Sequence, residues 1–356
     1  MIKNLEGKKM SLTRIAFIGF GVVGQGLAEI LVEQKEELSE RYGFNFQVVA
    51  ISDTMKGSVY DENGLHLQKI LDIVKATGKI NDYPEGIKGW DSQKTITETN
   101  ANLIVEVSWT DIKTGEPAIS HVKSAIKCYK HIVMTNKGPI ALAVRELLAM
   151  AANNGVQVRF EGTVLSGTPA INLGLNNLAG VQISKVAGIV NGTTNYILTE
   201  MEKGLDYTSA LKQAQELGYA EADPTADVEG FDALGKIVIL ANVVMNANLT
   251  KDEVSCQGIT KITPQDIETA KQEGNRWKLI ASAEIQSDGS VKAAVKPEKL
   301  PLEHPLAAVS GPINALTYTT KHLGEVTIIG PGAGRAATGY ALLTDILDIH
   351  RTITRP

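Results

Sequence analysis

An acidic loop followed by a single lysine is the segment of this sequence whose residue types best suit catalysis. The loop GYAEADPTAD spans residues 218–227, and a helical pattern then carries Asp232 and Lys236 four positions apart, on one helix face. Lys236 is the last charged residue before the uncharged stretch 237–250, which places it where the helix enters the apolar core. The carboxylates could bind a substrate ammonium group, and the lysine could transfer a proton. The spacing alone is more typical of a solvated acidic loop with one ion pair.

A glycine-rich turn near the start of the chain has residue types suited to binding a dinucleotide. The sequence GFGVVG, residues 19–24, completes the apolar run Arg14–Gly19 and opens a helical pattern that ends near Gly43. Glycines permit a tight turn and a close approach of the backbone to a pyrophosphate, while the helix N-terminus offers free N–H groups. A strand-to-helix turn that binds no ligand could have the same glycine spacing. The flanking strand and helix nevertheless favour a dinucleotide site.

Two charged residues after the second predicted strand bear on the choice of dinucleotide. Asp53 is placed to bind the ribose hydroxyls, which favours NAD. Lys56 lies three residues later and could instead bind the 2′-phosphate of NADP. An ordinary polar turn would also explain both residues, so the preference between NAD and NADP stays open from these residues alone.

Alternating strand and helix patterns before Glu161 predict the sheet that positions the glycine turn. Short apolar runs that suit buried strands are Arg14–Gly19, Phe46–Ile51, Leu103–Val107, His131–Thr135 and Val156–Phe160. Helical patterns separate them, among them Glu116–Tyr129 and Ile140–Asn154. Apolar strands that alternate with helices predict the α/β class, with a Rossmann-type doubly wound parallel sheet covered by helices on both faces.

The pattern changes after Glu161, and a second domain of the α+β class is expected there. Residues 161–180 are rich in glycine and asparagine, and alternating strands such as Val291–Val295 and Thr317–Lys321 follow among helical segments. The final segment VTIIGPGAGRAATGYALLTDILDI resumes the order of strand, glycine turn and helix. The predicted organisation is a polar leader (1–13), a dinucleotide-binding domain (14–154), a substrate-binding and dimerisation domain (155–325) and a C-terminal return to the dinucleotide-binding domain (326–356).

Composition and charge argue against several classes of protein. The 356 residues carry 35 Lys and Arg against 40 Asp and Glu, a net charge of −5, which gives no electrostatic footprint for nucleic acid. The longest uncharged stretch, 162–184, contains Pro169 and four glycines and is not expected to span a membrane. Cys128 and Cys256 cannot form a disulfide framework or a zinc cage, which fits the reducing cytoplasm. Residues 1–9 show no signal-peptide pattern, and we expect them to be dispensable.

Six segments resemble homoserine dehydrogenases, and together they span almost the whole chain. They are IAFIGFGVVGQGLAEIL, TGEPAISHVKSAIKCYKHIVMTNKGPIAL, FEGTVLSGTPAI, GIVNGTTNYILTEME, ELGYAEADPTADVEGFDALGKIVILAN and GPGAGRAATGYALLTDI. The Glu-x-Asp-Pro loop followed by Asp and Lys on one helix is highly specific to that family. The resemblance implies NAD(P)-dependent interconversion of L-homoserine and L-aspartate 4-semialdehyde, a step toward threonine and methionine. It also implies a short form that lacks a C-terminal regulatory domain.

The resemblance implies roles for individual residues. Lys236 matches the family's proton-transfer lysine, and Lys137 matches a second active-site lysine whose role could be exchanged with it. Glu221 and Asp232 match the residues that hold the amino-acid substrate. With the turn residues included, the candidate cofactor-binding residues are Gly19, Phe20, Gly21, Val22, Val23, Gly24, Asp53, Lys56, Ser108, Lys137, Gly218 and Gly332. The family also binds a monovalent cation similar to sodium, at positions that match Glu161, Val164, Ser166 and Thr168. A glycine-rich loop that binds no cation would have the same sequence in that last segment.

The sequence departs from the family pattern at one position, and three other functions are to be weighed against it. Trp109 stands where a small residue or proline is expected beside the nicotinamide, which leaves details of the cofactor pocket open. An aspartate-semialdehyde dehydrogenase would need a nucleophilic cysteine with a histidine partner, and neither Cys128 nor Cys256 shows one. A lactate-type dehydrogenase would use a histidine–aspartate pair, and none of the six histidines stands in such a setting. A non-catalytic NAD(P)-binding regulator would not need the acidic loop and its lysine.

Alternating strands in the second domain predict a homodimer. Residues 181–200 and 291–321 supply strands that one small domain would not cover alone, and open strand edges pair with another chain. The resemblance implies pairing through the same region. The helix expected at 237–249 could instead cover the sheet within one subunit, which would leave a monomer.

Overall fold

The computed structural model describes residues 12–354, which divide into two compact units. The first unit is made of the chain up to Pro139, Arg145–Phe160 and the segment from Thr338 onward. The second unit is made of Ile140–Val144 and Glu161–Ala337. The predicted polar leader, residues 1–13, lies almost wholly outside the described residues, so its dispensability stays a prediction.

A seven-stranded sheet lies at the centre of the first unit. Its strands are β1 (Thr13–Ile18), β2 (Phe46–Asp53), β3 (Gly57–Tyr60), β4 (Ile87–Lys88), β5 (Leu103–Glu106), β6 (His131–Met134) and β7 (Val158–Arg159). Their spatial order is β4-β3-β2-β1-β5-β6-β7. The strands from β2 through β1, β5 and β6 to β7 are parallel, while β3 and β4 extend the sheet in the antiparallel sense. The predicted α/β class with a Rossmann-type parallel sheet is confirmed.

Helices that follow the strands cover this sheet because each presents an apolar stripe to it. They are α1 (Val22–Glu33), α2 (Lys35–Tyr42), α3 (Leu67–Thr77), α4 (Ser92–Glu98), α5 (Ala118–Lys127) and α6 (Lys137–Asn153). Leu27 and Leu31 of α1 and Ile70 of α3 belong to one buried cluster with Phe17 of β1 and Val105 of β5. Their spacing along each helix repeats every three to four residues, which is the period that places them on one face.

A six-stranded sheet lies at the centre of the second unit. Its strands are β8 (Ile183–Ile189), β9 (Ser255–Cys256), β10 (Asn275–Ile285), β11 (Val291–Pro301), β12 (Ile313–Thr320) and β13 (Gly324–Pro331). Their order is β13-β12-β8-β10-β11-β9, antiparallel except for the pair β11 and β9. The helices are α7 (Ala170–Asn172), α8 (Gly192–Glu202), α9 (Tyr207–Glu216), α10 (Thr225–Val228), α11 (Phe231–Val244) and α12 (Pro264–Gln272). This unit is of the expected α+β class.

The last helix, α13 (Arg335–Thr354), joins the first unit only from Thr338 onward. Its buried leucines and isoleucines join the cluster under α1 and α3. The predicted boundary at residue 326 is therefore too early. The strand that begins the last segment, β13, pairs with β12 along its whole length and completes the sheet of the second unit instead.

Two other predicted boundaries differ from the structure. Residues 155–160 were assigned to the second domain, but β7 pairs with β6 and belongs to the first unit. Only the first part of 181–200 is a strand, because α8 begins at Gly192. The side chain of Asn191 accepts a hydrogen bond from the backbone N–H of Thr194, so it caps the helix and ends the strand.

Membrane-spanning helices and clusters of metal ligands are both absent from residues 12–354. In this part of the chain, none of the helices combines the length and apolar character needed to cross a membrane. The same residues contain no group of three or more His, Cys, Asp and Glu side chains that could hold a metal ion. Cys128 and Cys256 are both free thiols.

Candidate active site

The glycine turn joins β1 to α1 at the carboxyl end of the parallel strands. Gly19 has φ +95°, a conformation that residues with a Cβ rarely adopt, and a Cβ there would lie 2.5 Å from the carbonyl oxygen of Val107. Gly21 caps α1, and a Cβ there would meet no atom within 4 Å. The first glycine is thus required by the fold of the turn, whereas the second keeps open the space in front of the helix N-terminus.

A groove of about 780 Å³ runs over this turn, within the size range of ligand sites in proteins. It lies where β1 is flanked by β2 on one side and β5 on the other, the place at which doubly wound sheets bind ligands. Its lining includes Gly19, Gly21, Asp53, Lys56, Ser108 and His121. Five of these six residues are among the candidate cofactor contacts. Gly218 and Gly332, also candidates, belong to the second unit.

Asp53 ties the glycine turn to the end of β2. Its Oδ2 accepts a hydrogen bond from the backbone N–H of Phe20 at 2.7 Å, and its Oδ1 accepts from Met55 and Lys56 at 2.9 Å each. Two carboxylate oxygens offer about four acceptor sites, so the carboxylate retains capacity for a ribose hydroxyl. These contacts give Asp53 a structural task that the sequence did not reveal.

Lys137 is the first residue of α6, in the first unit. The preceding residue, Asn136, caps this helix by accepting from the N–H of Gly138 at 3.1 Å. The Asn136 amide also donates to the carbonyl oxygen of Trp109 at 3.1 Å. The Trp109 side chain is 65% exposed on the groove wall, so its backbone is fixed while its indole ring remains open to solvent.

A buried carboxylate–imidazole pair, which the sequence interpretation missed, lies beside the groove. Oε2 of Glu106 lies 2.7 Å from Nδ1 of His121, and the Glu106 side chain is fully buried. The sequence offers no histidine–aspartate setting, and this pair, whose carboxylate belongs to a glutamate, does not contradict that expectation. Fifteen residues separate the two, and only the packing of α5 beside β5 brings them together, which is why their spacing gave no signal.

In the second unit, Lys236 lies on α11 as predicted, almost entirely buried at 7% exposure. Its ammonium group donates to the carbonyl oxygen of Val190 at 2.7 Å and forms an ion pair with Oδ2 of Asp232 at the same distance. The predicted i, i+4 pair is present, and the additional carbonyl contact orients the ammonium group. A buried charge is stabilised only by such close partners.

Asn191 and Asp227 complete this cluster; Asp227 ends the predicted acidic loop, whereas the sequence interpretation assigned no role to Asn191. The Asn191 amide nitrogen donates to Asp227 at 2.7 Å and to Asp232 at 3.0 Å, which holds the two carboxylates side by side. The signal that could have singled out Asn191 is its residue type, because asparagine is favoured at helix N-caps and α8 begins at the next residue.

The electrostatics of the cluster favour a positively charged ligand. Burial raises the pKa of Asp227, and the neighbouring Asp232 adds to this, against the opposing effects of the Asn191 hydrogen bond and Lys236. The Asn191 amide joins the two carboxylates, and the Lys236 ammonium group lies against Asp232. A second ammonium group placed here would stabilise both carboxylates in their charged form.

Glu221 lies in the loop between α9 and α10 and is exposed. The loop is held at this point through the backbone, because the Gln215 side chain donates to the carbonyl oxygens of Glu221 and Ala222, at 3.0 and 3.4 Å. The Glu221 carboxylate is accessible to a ligand in solution.

The segment predicted to bind a cation is compact and contains several oxygen atoms of the kind that bind cations. Glu161 is buried, and its two carboxylate oxygens accept from the backbone N–H groups of Ile171 and Asn172 at 2.8 and 2.7 Å. Ser166 has a positive φ of 54°, and the Thr168 hydroxyl donates to the carbonyl oxygen of Pro331 at 3.0 Å. Carboxylate and carbonyl oxygens are the ligands that hard cations prefer, so these residues fit such an ion.

The structure argues against Cys256 as a nucleophile. Burial raises the pKa of the Cys256 thiol, and its Sγ contacts the carbonyl oxygen of Glu229 at 3.4 Å. A thiol in this setting is disfavoured as a thiolate, which is the reactive form.

Two family models and several known proteins match the chain. A family model described as "Homoserine dehydrogenase" matches residues 169–347, and one described as "Glutamate/Leucine/Phenylalanine/Valine dehydrogenase" matches residues 1–128. A curated protein from Pseudomonas canavaninivorans, named NAD(+)-dependent homoserine dehydrogenase, is 44% identical over 346 residues, which cover 97% of this chain and 98% of that protein.

Two solved structures are similar to the chain as well. A putative homoserine dehydrogenase from Archaeoglobus fulgidus has a TM-score of 0.85 and 36% identity, and the match covers 95% of this chain and 99% of that one. A hyperthermophilic archaeal homoserine dehydrogenase in complex with NADPH has a TM-score of 0.83 and 31% identity, and the match covers 97% and 99%.

Proposed function

The chain belongs to the homoserine dehydrogenase family, and from that premise we propose which of its residues carry out the family's reaction. It is an NAD(P)-dependent oxidoreductase that interconverts L-homoserine and L-aspartate 4-semialdehyde, in the biosynthesis of threonine and methionine. The observation that carries the proposal is the buried Lys236 beside Asp232 and Asp227, where an ammonium-bearing substrate and a proton-transfer group would meet.

The first unit binds the dinucleotide in the groove over the glycine turn. The nicotinamide, when bound, accepts the hydride in oxidation and donates it in reduction. Gly21 leaves room for the pyrophosphate at the N-terminus of α1, whose free N–H groups favour an anion. Asp53 binds the adenosine ribose, while Lys56 is available for a 2′-phosphate, so both NAD and NADP are to be assayed.

Lys236 transfers the proton. Oxidation of the alcohol removes one hydride from carbon and one proton from the hydroxyl group, and a neutral lysine Nζ accepts that proton. In the reverse direction the ammonium group stabilises the developing alkoxide and protonates it. Lys137 positions the substrate or relays the proton. Comparing Lys236→Ala with Lys137→Ala shows which lysine transfers the proton.

Glu221 and Asp232 hold the substrate through its ammonium group, with charge-assisted hydrogen bonds. Replacing Glu221 with glutamine is therefore expected to raise KM for homoserine by about ten- to a hundredfold, because it removes an anionic acceptor. KM for the dinucleotide is expected to stay unchanged. Steady-state kinetics with each substrate varied in turn measure both values.

Glu216→Gln is the matched control, since Glu216 is an exposed glutamate at the end of α9. It is expected to behave as wild type. An unchanged KM for homoserine in Glu221→Gln, or a rise confined to the dinucleotide, would remove Glu221 from the substrate site.

A monovalent cation bound by Glu161, Val164, Ser166 and Thr168 belongs to the same proposal. Its role is structural, because these residues connect the end of the parallel sheet to the second unit's first helix along the chain. The protein works in the cytoplasm, in line with its two free thiols.

We also propose that the chain forms a homodimer through the second unit. β13 is an edge strand of eight residues, and among the described residues it pairs with β12 alone. Its Ile329 is 58% exposed, and an open edge with exposed apolar residues is a template for pairing with another chain. Light scattering at micromolar concentration is expected to give about twice the 38.2 kDa of one chain.

The variant Ile329→Lys, which places a charge on this edge, is expected to shift the mass toward the monomer. A wild-type mass near that of one chain would reject the dimer.

A further inference from the structure

The buried carboxylate of Glu106 accepts hydrogen bonds on both oxygens, from two different elements. Oε1 accepts from the backbone N–H of Ser108 at 3.0 Å and from the Ser108 hydroxyl, while Oε2 pairs with Nδ1 of His121 at 2.7 Å. An ionised carboxylate can only accept, so Nδ1 of His121 is the donor of this contact when Glu106 is charged. The fully buried carboxylate thus has hydrogen-bond partners on both oxygens, as buried polar groups generally do.

The hydrogen bonds continue from Ser108 to the start of α6. The carbonyl oxygens of Ser108 and Trp109 accept from the amide of Asn136 at 3.4 and 3.1 Å. The other end of that amide caps α6 by accepting from Gly138. One chain of hydrogen bonds thus connects His121 on α5 with the helix turn that carries Lys137.

This network forms one wall of the dinucleotide groove. Ser108 and His121 both line it, as do Gly19 and Gly21 of the glycine turn. The backbone of Val107, which precedes Ser108, lies so close to Gly19 that no Cβ fits between them. A displacement of the loop 107–109 would therefore change the space available above the turn.

We propose that Glu106 and His121 are positioning residues for the dinucleotide: the Glu106 carboxylate, held by His121, fixes the loop 107–109 and, through Asn136, the first turn of α6. This inference rests on the proposed function only in taking the groove as the dinucleotide site. It differs from that function in naming two residues that need not touch the substrate.

The first test is Glu106→Gln, measured by titrating NADPH into the full-length protein and recording the dissociation constant from nicotinamide fluorescence. The amide nitrogen of glutamine would face either the Ser108 donors or His121, so one hydrogen bond to a charged group is lost and the loop shifts. The dissociation constant is expected to rise by about ten- to a hundredfold. A loss of folded protein alone would instead lower Vmax and leave both the dissociation constant and KM for homoserine unchanged.

Glu98→Gln is the matched control, because Glu98 is an exposed glutamate at the end of α4 in the same unit. Its dissociation constant is expected to remain within about twofold of wild type. If Glu106→Gln folds and binds NADPH as tightly as Glu98→Gln, the inference is wrong.

A pair of variants at His121 keeps the test decisive if Glu106→Gln does not fold. His121→Asn retains an N–H donor near the position of Nδ1, whereas His121→Leu retains none. The leucine variant is expected to bind NADPH about tenfold more weakly or worse, with asparagine restoring most of the affinity. Equal affinity in the two variants would overturn the proposal. A wild-type protein that binds NADPH but does not oxidise homoserine would instead count against the proposed function alone.

Discussion

Replacing Lys236 with alanine is expected to lower kcat for homoserine oxidation by about 10²–10⁴-fold while leaving the dissociation constant of NADPH unchanged. Lys236 is the buried cation beside Asp232, and its ammonium group is oriented by the carbonyl oxygen of Val190. Without it, no group on α11 takes the proton from the hydroxyl. Dinucleotide binding depends on the glycine turn of the first unit and is expected to persist.

Lys236→Met separates the loss of charge from the loss of packing, since methionine fills a similar volume. It is expected to be as inactive as the alanine variant but closer to wild type in melting temperature. Lys212→Ala, at an exposed lysine of α9, is the control for removing a surface charge. If purified, folded Lys236→Ala enzyme had a nearly normal kcat, Lys236 would not be the proton-transfer group, and Lys137 would be assigned that role.

Gly19→Ala is expected to produce the second largest effect, on both the free protein and dinucleotide binding. The methyl group would lie 2.5 Å from the carbonyl oxygen of Val107, and the residue would have to hold φ +95°. Such strain costs on the order of 1–3 kcal/mol, so the turn or the loop 107–109 must move. We expect a melting temperature several degrees lower and NADPH affinity reduced by more than about tenfold.

Gly21→Ala is the matched comparison within the same turn. Its Cβ would meet no protein atom, and its φ of −76° suits alanine, so the free protein is expected to melt like wild type. NADPH affinity is still expected to fall, because the methyl group would occupy the approach of the pyrophosphate. If both variants had wild-type stability and affinity, the turn would not be the dinucleotide site.

The parallel sheet could be predicted because its strands are continuous apolar runs separated by amphipathic helices. The Asp232–Lys236 pair could be predicted because four residues bring two side chains together on any helix. The assignment of β13 to the second sheet could not, since a strand followed by glycines and a helix has the same pattern in either sheet. Only the backbone pairing with β12 decides it.

Contacts that depend on packing between distant elements gave no sequence signal. Glu106 and His121 meet because α5 packs beside β5, and neither residue type is unusual at its position. Asn191 is of a residue type common at helix caps, yet its amide also holds Asp227 and Asp232 together. In each case one polar side chain forms hydrogen bonds to groups from different parts of the chain, and the periodicity of a sequence cannot indicate such contacts.

Nicotinamide absorbance of the full-length protein with L-homoserine tests the central claim most directly. NAD⁺ and NADP⁺ are supplied in parallel, and L-lactate and L-malate serve as hydroxy acids without an ammonium group. The account predicts reduced nicotinamide with L-homoserine and at least one dinucleotide, and no turnover with lactate or malate, because neither presents a cation to Glu221 and Asp232. Equal rates with lactate, or no reduction with L-homoserine and either dinucleotide, would contradict it.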